Sequence, residues 1–408
     1  MLHNLIVKLQ IISNNIIFAF LSLFWKRDQQ CVLLGSWFGD KFADNSRFLY
    51  LYLSQNKEKL GLKHVVWVSR NESVINELND SGYEAYTMDS PESIRFHKKA
   101  KWHIICNSPY GIKTDLLTKY SYGTIRVNLW HGIGVVKRFG KASLGILRRE
   151  AQHPELYKII HLLFKTTLYR RFIFYPGGWG DFYLLSTTSI TNKQFRESFD
   201  YIPDDHFIKS IYPRLHLNPF LLKNEAEFIT KIRNHDKIIL YLPTFRIGGS
   251  KFNFSRLPYS LQDILKQESV LWIQKAHSAS NWGKDEQNDE NIISLPPEFE
   301  INILLPYIKL LITDYSSVAS DARYFNKSIL FFLPDHEEYK NGENGLTAEA
   351  EELLDGPKFF DIDSLKKELP HYINDPESAK TPNYTKIRDK YWGDKKSISD
   401  VWDKISKL

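Results

Sequence analysis

The amino-acid sequence predicts an α/β protein with two doubly wound domains, each built on a parallel sheet. Its 408 residues are more than one hydrophobic core usually organises, which indicates two domains. Strand-like apolar runs alternate with helix-like runs along most of the chain, and this alternation favours parallel βαβ units. Polar or charged residues follow several of the strand-like runs, at the carboxyl ends where open parallel sheets bind ligands.

The N-terminal segment, residues 1–27, is predicted to form an amphipathic helix. Its apolar residues recur at helical spacing, and the densest part, residues 16–25, is roughly half the length needed to span a bilayer. We expect this helix to lie in the membrane interface, with Trp25, Lys26 and Arg27 at the level of the headgroups. The alternative is a helix docked on the protein's own core. No small-residue cleavage site follows, so a signal peptide is not predicted.

Two alternating series of elements come next. In the first, the predicted strands are 30–35, 63–69, 101–106, 124–130 and 183–187, and the predicted helices are 48–55, 72–80 and 193–199, with a basic helical region at 148–175. In the second, the predicted strands are 237–242, 270–274, 310–313 and 328–333, and the predicted helices are 261–266, 303–307 and 321–326. Prolines near 202–219 suggest the boundary. We therefore predict domains at 28–205 and 206–375, followed by a helical segment, 376–408, that packs back on the N-terminal domain.

Composition limits the partners. The net charge of +6, from 54 basic and 48 acidic residues, fits an anionic ligand or an anionic membrane surface and is too small to indicate nucleic acid. Cys31 and Cys106 are both flanked by apolar residues, which predicts two reduced core thiols rather than a disulfide. No Cys/His spacing suggests zinc.

The most informative motif is residues 312–321, Ile-Thr-Asp-Tyr-Ser-Ser-Val-Ala-Ser-Asp. An apolar run leads into a tight polar turn, and a helix-like pattern follows. Ser316 and Ser317 fall where that helix is expected to start, so their hydroxyls and the backbone N–H groups there can hold phosphate oxygens. We interpret Asp314 and Asp321 as turn and helix groups.

A histidine follows another predicted strand. His131 comes after Trp130 and before Gly132 and Gly134, and glycines allow a ligand to approach the backbone closely. A histidine there can act as a base near neutral pH. The alternative is a buried histidine hydrogen-bonded to backbone.

Three further cationic groups follow strands of the second series. Lys275 and His277 share one side of an extended strand end, and Arg246 follows Thr244 with a planar fork suited to phosphate. Taken singly, each is better explained as a surface or loop residue. Their recurrence at strand ends of one domain is what favours a phosphate site.

Other chemistries are disfavoured. The sequence contains no Gly-x-x-x-x-Gly-Lys-Ser/Thr phosphate loop and no Gly-x-Ser-x-Gly nucleophile turn. The pair Asp361 and Asp363 has the Asp-x-Asp spacing of one class of metal-dependent glycosyltransferases, but Asp361 is placed to cap a helix. No metal site is predicted.

Together these segments resemble the CDP-glycerol glycerophosphotransferases that build teichoic acids and some capsules. The matching segments occur in the family's order: 35–39 with 44–46, then 130–132, 212–214, 242–246, 275–277 and 313–321. Three of the motifs depart from the family pattern, at Ile133, at Ser278 and at the pair Leu215-His216. The departures bear on the donor and acceptor more than on the fold.

The resemblance implies a GT-B fold, with two Rossmann-like domains facing a cleft, and a peripheral enzyme at the cytoplasmic face of the membrane. It implies no cofactor and no metal, a CDP-glycerol or related CDP-polyol donor held by the C-terminal domain, and a lipid-linked or glycan acceptor held by the N-terminal domain. The two histidines His131 and His277 are the implied catalytic residues. The implied donor-binding residues are Thr244, Arg246, Lys275, Asp314, Ser316, Ser317 and Asp321, and the implied acceptor or cleft residues are Trp130, Gly132, Gly134 and Arg214.

The implied reaction moves a polyol phosphate to an acceptor hydroxyl and releases CMP. Glycerol and ribitol donors stay open, as do a primase and a polymerase. One alternative is a GT-B glycosyltransferase that uses a nucleotide sugar. Another, from a different class, is a non-catalytic membrane-bound scaffold on a degenerate GT-B fold.

Overall fold

The protein forms two compact units in a computed structural model that describes residues 2–109, 113–133, 138–139, 142–216, 220–244, 252–275, 289–342, 345–394 and 396–408. The first unit comprises Met1–His131, Arg149–Phe220 and Lys395–Leu408. The second comprises Gly132–Arg148 and Leu221–Asp394.

The first unit is built on a seven-stranded parallel sheet with the order β3-β2-β1-β4-β5-β6-β7. Its strands are β1 Asp28–Leu34, β2 His64–Ser69, β3 Ala85–Thr87, β4 Ala100–Ile105, β5 Ile125–Asn128, β6 Tyr183–Ser186 and β7 Phe207–Lys209. The chain builds outwards from β1 in one direction and then from β4 in the other. The predicted doubly wound arrangement is therefore confirmed for this unit.

The second unit repeats this plan with a six-stranded parallel sheet of order β10-β9-β8-β11-β12-β13. Its strands are β8 Ile238–Leu242, β9 Leu271–Lys275, β10 Ile292–Leu295, β11 Leu310–Thr313, β12 Ser328–Phe332 and β13 Lys358–Phe359. The central strands β8, β11 and β12 are buried along their whole length, as parallel strands covered on both faces must be.

Helices connect the strands. They are α1 Leu2–Ser22, α2 Asp44–Gln55, α3 Glu72–Asp80, α4 Pro91–Lys99, α5 Leu144–Gln152, α6 Pro154–Phe164, α7 Ser189–Ser198, α8 Lys223–Ile232, α9 Leu257–Ser260, α10 Gln262–Gln267, α11 Val318–Tyr324, α12 His336–Lys340, α13 Ala350–Leu353, α14 Ile362–Asn374, α15 Tyr384–Trp392 and α16 Ile398–Ile405. A π-helical segment, Tyr169–Phe174, follows α6.

The division between the units differs from the predicted one. Residues 206–220 belong to the first unit, because β7 pairs with β6 and completes the first sheet. Residues 376–394 belong to the second unit, where Trp392 of α15 donates its indole N–H to the carbonyl of Ser320. Only the last segment, with α16, returns to the first unit, where Trp402 packs edge-on against Trp102 of β4.

Helix α1 is docked on the first unit through one side. The Asn15 side chain donates to the carbonyls of Phe172 and Tyr175 and accepts from Gly177 N–H, and the ring of Phe18 packs edge-on against Tyr120. On the other side of α1, Ile16, Ile17, Phe20 and Leu21 are exposed. The alternative of a helix docked on the protein is therefore confirmed for one side of α1, and its place in the membrane interface stays a prediction. Within the described residues, no helix has the length and apolar character needed to cross a bilayer.

Arg27 anchors the chain just after α1. Its guanidinium donates to four carbonyls, those of His97, Ala100, Tyr120 and Tyr122. Burial lowers the pKa of Arg27 to about 10 and that of the fully buried His97 to about 4. The prediction that Arg27 lies at headgroup level is therefore wrong.

Candidate functional site

His131 lies in a turn that follows β5, at the carboxyl edge of the first sheet. Its Nδ1 is 3.0 Å from the carbonyl oxygen of Cys106, which follows β4. A carbonyl oxygen can only accept, so Nδ1 carries the hydrogen and the neutral ring keeps its lone pair on Nε2. The ring is half-buried and stacks on Trp130, with centroids 4.6 Å apart. This geometry suits Nε2 to accept a proton.

Trp130, directly before His131, has a positive φ of 53°. Such a conformation is uncommon for a bulky residue and persists only where the surroundings hold it. Here the Asn128 side chain accepts from Trp130 N–H at 2.8 Å, and the indole packs edge-on against Phe195 and Phe199. Trp130 and Gly132 are both buried, and Gly134 lies outside the described residues.

A buried carboxylate joins the neighbouring loops to this turn. Asp115 accepts hydrogen bonds from the backbone N–H groups of Phe38, Cys106 and Asn107. Burial raises the pKa of Asp115, and these three donors oppose that effect. Gly35 must lack a side chain, because a Cβ there would lie 2.2 Å from the Asp115 carbonyl oxygen. Cys106, whose carbonyl orients His131, is therefore itself fixed by Asp115.

Arg214 was predicted as an acceptor or cleft residue, and the structure places it in the interior. It is 2% exposed, and its guanidinium pairs with the carboxylate of Asp44 at 2.6 Å. Next to Asp44, the buried Asn45 donates to the carbonyl of Trp130 at 2.8 Å and accepts from Arg214 N–H at 3.3 Å. Arg214 thus belongs to the support of the His131 turn.

The predicted donor-binding residues of the second unit lie at the carboxyl edge of its sheet. Thr244 follows β8 and Asp314 follows the adjacent strand β11. The Asp314 carboxylate accepts from Thr244 N–H at 2.9 and 3.0 Å and from its hydroxyl at 2.6 Å. Asp314 is 1% exposed, so it fixes the Thr244 loop and does not itself present a surface to a ligand.

Ser316 and Ser317 are half-buried and immediately precede α11, as predicted. Tyr315, between them and Asp314, is buried. Its ring stacks on Tyr339 with centroids 3.8 Å apart, and its hydroxyl bonds to His336 Nδ1. Asp321 is buried inside α11. The aromatic packing therefore fixes the turn while the two serine hydroxyls remain partly accessible.

Lys275 is the last residue of β9 and so lies at the same edge of the sheet. Its ammonium donates to the carbonyl of Phe299. The predicted positions Arg246 and His277 lie outside the described residues.

Among the described residues, no three His, Cys, Asp or Glu side chains are grouped so that they could hold a metal ion. Asp361 accepts from Ser364 N–H at 2.7 Å and caps α14, which confirms its predicted capping role. Cys31 and Cys106 are buried free thiols, also as predicted.

Sequence reasoning missed the residues that support the site, chiefly Asn45, Asp115, Asn128 and Tyr339. Asn45 stands in a segment already recognised as matching the family, so its position was a usable signal. Asn128 accepts from the N–H two residues on, which is a local turn pattern that the sequence could have indicated. Asp115 and Tyr339 give no signal in the sequence, because their roles depend on residues far apart in the chain.

Comparison with known proteins agrees with this description. The model of the family described as CDP-Glycerol:Poly(glycerophosphate) glycerophosphotransferase matches residues 17–407. A teichoic acid poly(glycerol phosphate) polymerase of Bacillus spizizenii is 27% identical over 84% of this chain and 83% of its own length. A teichoic acid poly(ribitol-phosphate) polymerase of the same species is 26% identical over 52% of this chain and 32% of its own length.

A solved structure of the wall teichoic acid polymerase TagF resembles the whole chain. The TM-score is 0.68 at 20% identity, with 99% of this chain and 97% of that chain covered. At this identity the likeness shows the fold, and the predicted GT-B class is confirmed.

Proposed function

This chain belongs to the CDP-glycerol:poly(glycerophosphate) glycerophosphotransferase family, and on that premise we propose a specific reaction for it. The protein transfers glycerol phosphate from CDP-glycerol to a hydroxyl of a lipid-linked or glycan acceptor, in teichoic-acid or capsule assembly. The observation that carries the proposal is His131, whose Nδ1 is committed to the carbonyl of Cys106. In a histidine held in this way, Nε2 is the ring nitrogen that can accept a proton.

His131 is the general base in this proposal. The acceptor oxygen attacks the β-phosphorus of the donor while Nε2 of His131 accepts the hydroxyl proton. The bond between the β-phosphorus and the bridging oxygen breaks, and CMP leaves with that oxygen. Base catalysis of this kind contributes about 10²- to 10⁴-fold to the rate.

The carboxyl edge of the second sheet is the donor site in this proposal. The hydroxyls of Ser316 and Ser317 donate to the diphosphate oxygens, and the ammonium of Lys275 contributes positive charge from the end of β9, which is separated from β11 by β8. Arg246 and His277 retain their proposed roles in holding the diphosphate. Cationic side chains can neutralise the phosphoryl oxygens, so we propose that no metal takes part.

A membrane surface is the proposed place of action. Exposed apolar side chains on α1 and on the region of α6 form what we call the apolar face; its residues are Ile16, Ile17, Phe20, Leu23, Phe24, Leu156, Ile159, Leu162 and Leu168. Both helices pack against the π-helical segment Tyr169–Phe174. Exposed basic residues, among them Lys26, Arg149 and Lys165, accompany it. Apolar contact plus basic charge suits an anionic lipid surface, here the cytoplasmic face where CDP donors are available.

Ribitol phosphate is the second candidate for the transferred group. The observation that favours it is the similarity to a relative named for poly(ribitol-phosphate). The reaction at phosphorus would be the same, and only the contacts to the polyol would differ.

Release of CMP from a panel of donors tests the proposal. We expect the purified protein to consume CDP-glycerol in the presence of acceptor, and His131→Ala to lose at least about a hundredfold in kcat with little change in donor affinity. Consumption of CDP-ribitol instead would select the second candidate, and consumption of UDP- or GDP-sugars would select a glycosyltransferase. A protein that consumes none of them would favour the scaffold, and a His131→Ala variant with more than about a tenth of wild-type activity would refute the base role.

A further inference from the structure

We infer that Asn45 is a positioning residue for His131, acting through the carbonyl group of Trp130. The inference rests on the proposed function only in taking His131 as the base. Asn45 is 0% exposed, lies in the first turn of α2, and bonds through its side chain to two separate loops.

The contacts of Asn45 define what it holds. Its Nδ2 donates to the carbonyl oxygens of Trp130 at 2.8 Å and of Leu129 at 3.3 Å. Its Oδ1 accepts from the backbone N–H of Arg214 at 3.3 Å. One side chain therefore ties the turn that carries His131 to the loop that follows β7.

Asn45 is itself fixed from two sides. The Asp44 carboxylate accepts from Asn45 N–H at 2.8 Å and from the Arg214 guanidinium at 2.6 Å. Asp44 has a positive φ of 64°, as Trp130 has one of 53°. Aspartate tolerates this conformation comparatively well, whereas the bulky Trp130 keeps it only where surrounding contacts over-determine it.

The link to His131 runs through a single peptide unit. The carbonyl that Asn45 holds belongs to Trp130, and the next residue is His131. Asn128 holds the N–H of Trp130 on the other side, so the two asparagines fix both polar groups of that residue. If Asn45 releases the carbonyl, Trp130 can relax from its left-handed conformation and the His131 ring moves away from Cys106. A displacement of about 1 Å at a reacting group costs about 10²-fold in rate.

The chain offers a closely matched control. Asn15 is 3% exposed, donates to two carbonyls and accepts from one N–H, which is the same bonding pattern as that of Asn45. Asn15 holds α1, and these three hydrogen bonds all go to residues 172–177 and not to the His131 turn. Replacing either asparagine removes the same number of buried hydrogen bonds, so a general loss of stability should affect both variants alike.

The experiment combines kinetics with ¹⁵N-histidine spectra of Asn45→Ala, Asn45→Asp and Asn15→Ala, with the His131 signal assigned from its loss in His131→Gln. We expect wild-type His131 to be the Nδ1–H tautomer when neutral. In both Asn45 variants we expect a mixture with the Nε2–H tautomer and a kcat lowered about 10- to 100-fold, with the donor KM within about twofold. Asn15→Ala should keep the wild-type tautomer and kcat.

Several results would overturn the inference. They are an Nε2–H tautomer in the wild type, an unchanged tautomer and kcat in the Asn45 variants, or the same changes in Asn15→Ala. The wild-type tautomer needs only His131→Gln for its assignment and does not depend on the Asn45 variants, and Asn45→Asp keeps the size of the side chain should Asn45→Ala unfold. If His131→Ala stays active, the proposed function fails, while the tautomer measurement still decides whether Asn45 positions the ring.

Discussion

Asp314 and Thr244 provide the most direct stability test of the donor-side geometry. Thr244→Val keeps the shape of the side chain and removes the hydroxyl that donates to the buried Asp314 carboxylate at 2.6 Å. A hydrogen bond to a charged group contributes about 1.5–3 kcal/mol, so we expect Thr244→Val to lower the free energy of unfolding of the second unit by that amount. The neighbouring Thr313→Val is the control, because its hydroxyl donates at the same 2.6 Å to the neutral carbonyl of Leu242. That bond is worth only about 0.5–1.5 kcal/mol.

Urea denaturation of the four proteins of a double-mutant cycle measures the coupling. With Thr244→Val and Asp314→Asn, we expect the two losses to be non-additive by about 1–3 kcal/mol, because the two side chains are in direct contact. Because Thr244 follows β8 at the donor edge, the Thr244 variant should also raise the donor KM. Additive losses for Thr244 and Asp314, or equal costs for the two threonines, would show that the hydroxyl does not bond to the carboxylate.

Four further predictions concern other parts of the molecule. Ser316→Ala and Ser317→Ala should each raise the donor KM about tenfold or more, because each removes a bond to a charged phosphate; unchanged CMP affinity in both would place the nucleotide elsewhere. Activity should be complete in EDTA, and a loss that Mg²⁺ or Mn²⁺ restores would contradict the metal-free reaction. Phe20→Ser combined with Leu162→Ser should release the protein from anionic liposomes. Phe360→Ser, which replaces an exposed apolar residue of the second unit, should leave the binding unchanged. Equal binding of both variants would contradict the role of the apolar face. His97 has a folded-state pKa of about 4 against an ordinary 6.5, so unfolding takes up a proton between these values. Stability should therefore fall by about 3 kcal/mol as the pH falls from 6.5 to 4, and pH titration of the unfolding free energy of His97→Gln should show a flatter dependence.

The strands that the sequence predicted well are those with uninterrupted apolar runs. The predicted bounds of β11 are the observed ones, and those of β8 and β12 differ from the observed bounds by one residue. These strands are predictable because parallel strands covered on both faces must be apolar throughout. The missed strands β3, β7, β10 and β13 have only two to four residues each. Segments so short carry no periodic pattern, and pairing with a neighbour decides their conformation. Missing β7 is also why the predicted domain boundary fell too early.

The predicted motifs that the structure describes lie at the carboxyl ends of strands, as expected, but the contacts of individual residues were less predictable. Arg214 and Arg27 were expected to meet a ligand or lipid, and both are occupied by partners inside the protein. Asp314 was placed correctly in the turn, yet its bond to Thr244 joins residues far apart in sequence. Local spacing indicates that a charged group lies near a site, and only the folded chain shows which neighbour forms its hydrogen bond or ion pair.

The return of α16 to the first unit affects how this protein is made. The chain passes between the units after His131, after Arg148, after Phe220 and after Asp394. A ribosome therefore synthesises the whole second unit before it synthesises α16, whose Ile398, Val401, Trp402 and Ile405 are buried. The first unit, whose synthesis begins before that of the second, is thus completed after it. Until α16 arrives, Trp102 and the adjoining surface of the nascent first unit are uncovered, which is when a chaperone would have most to protect.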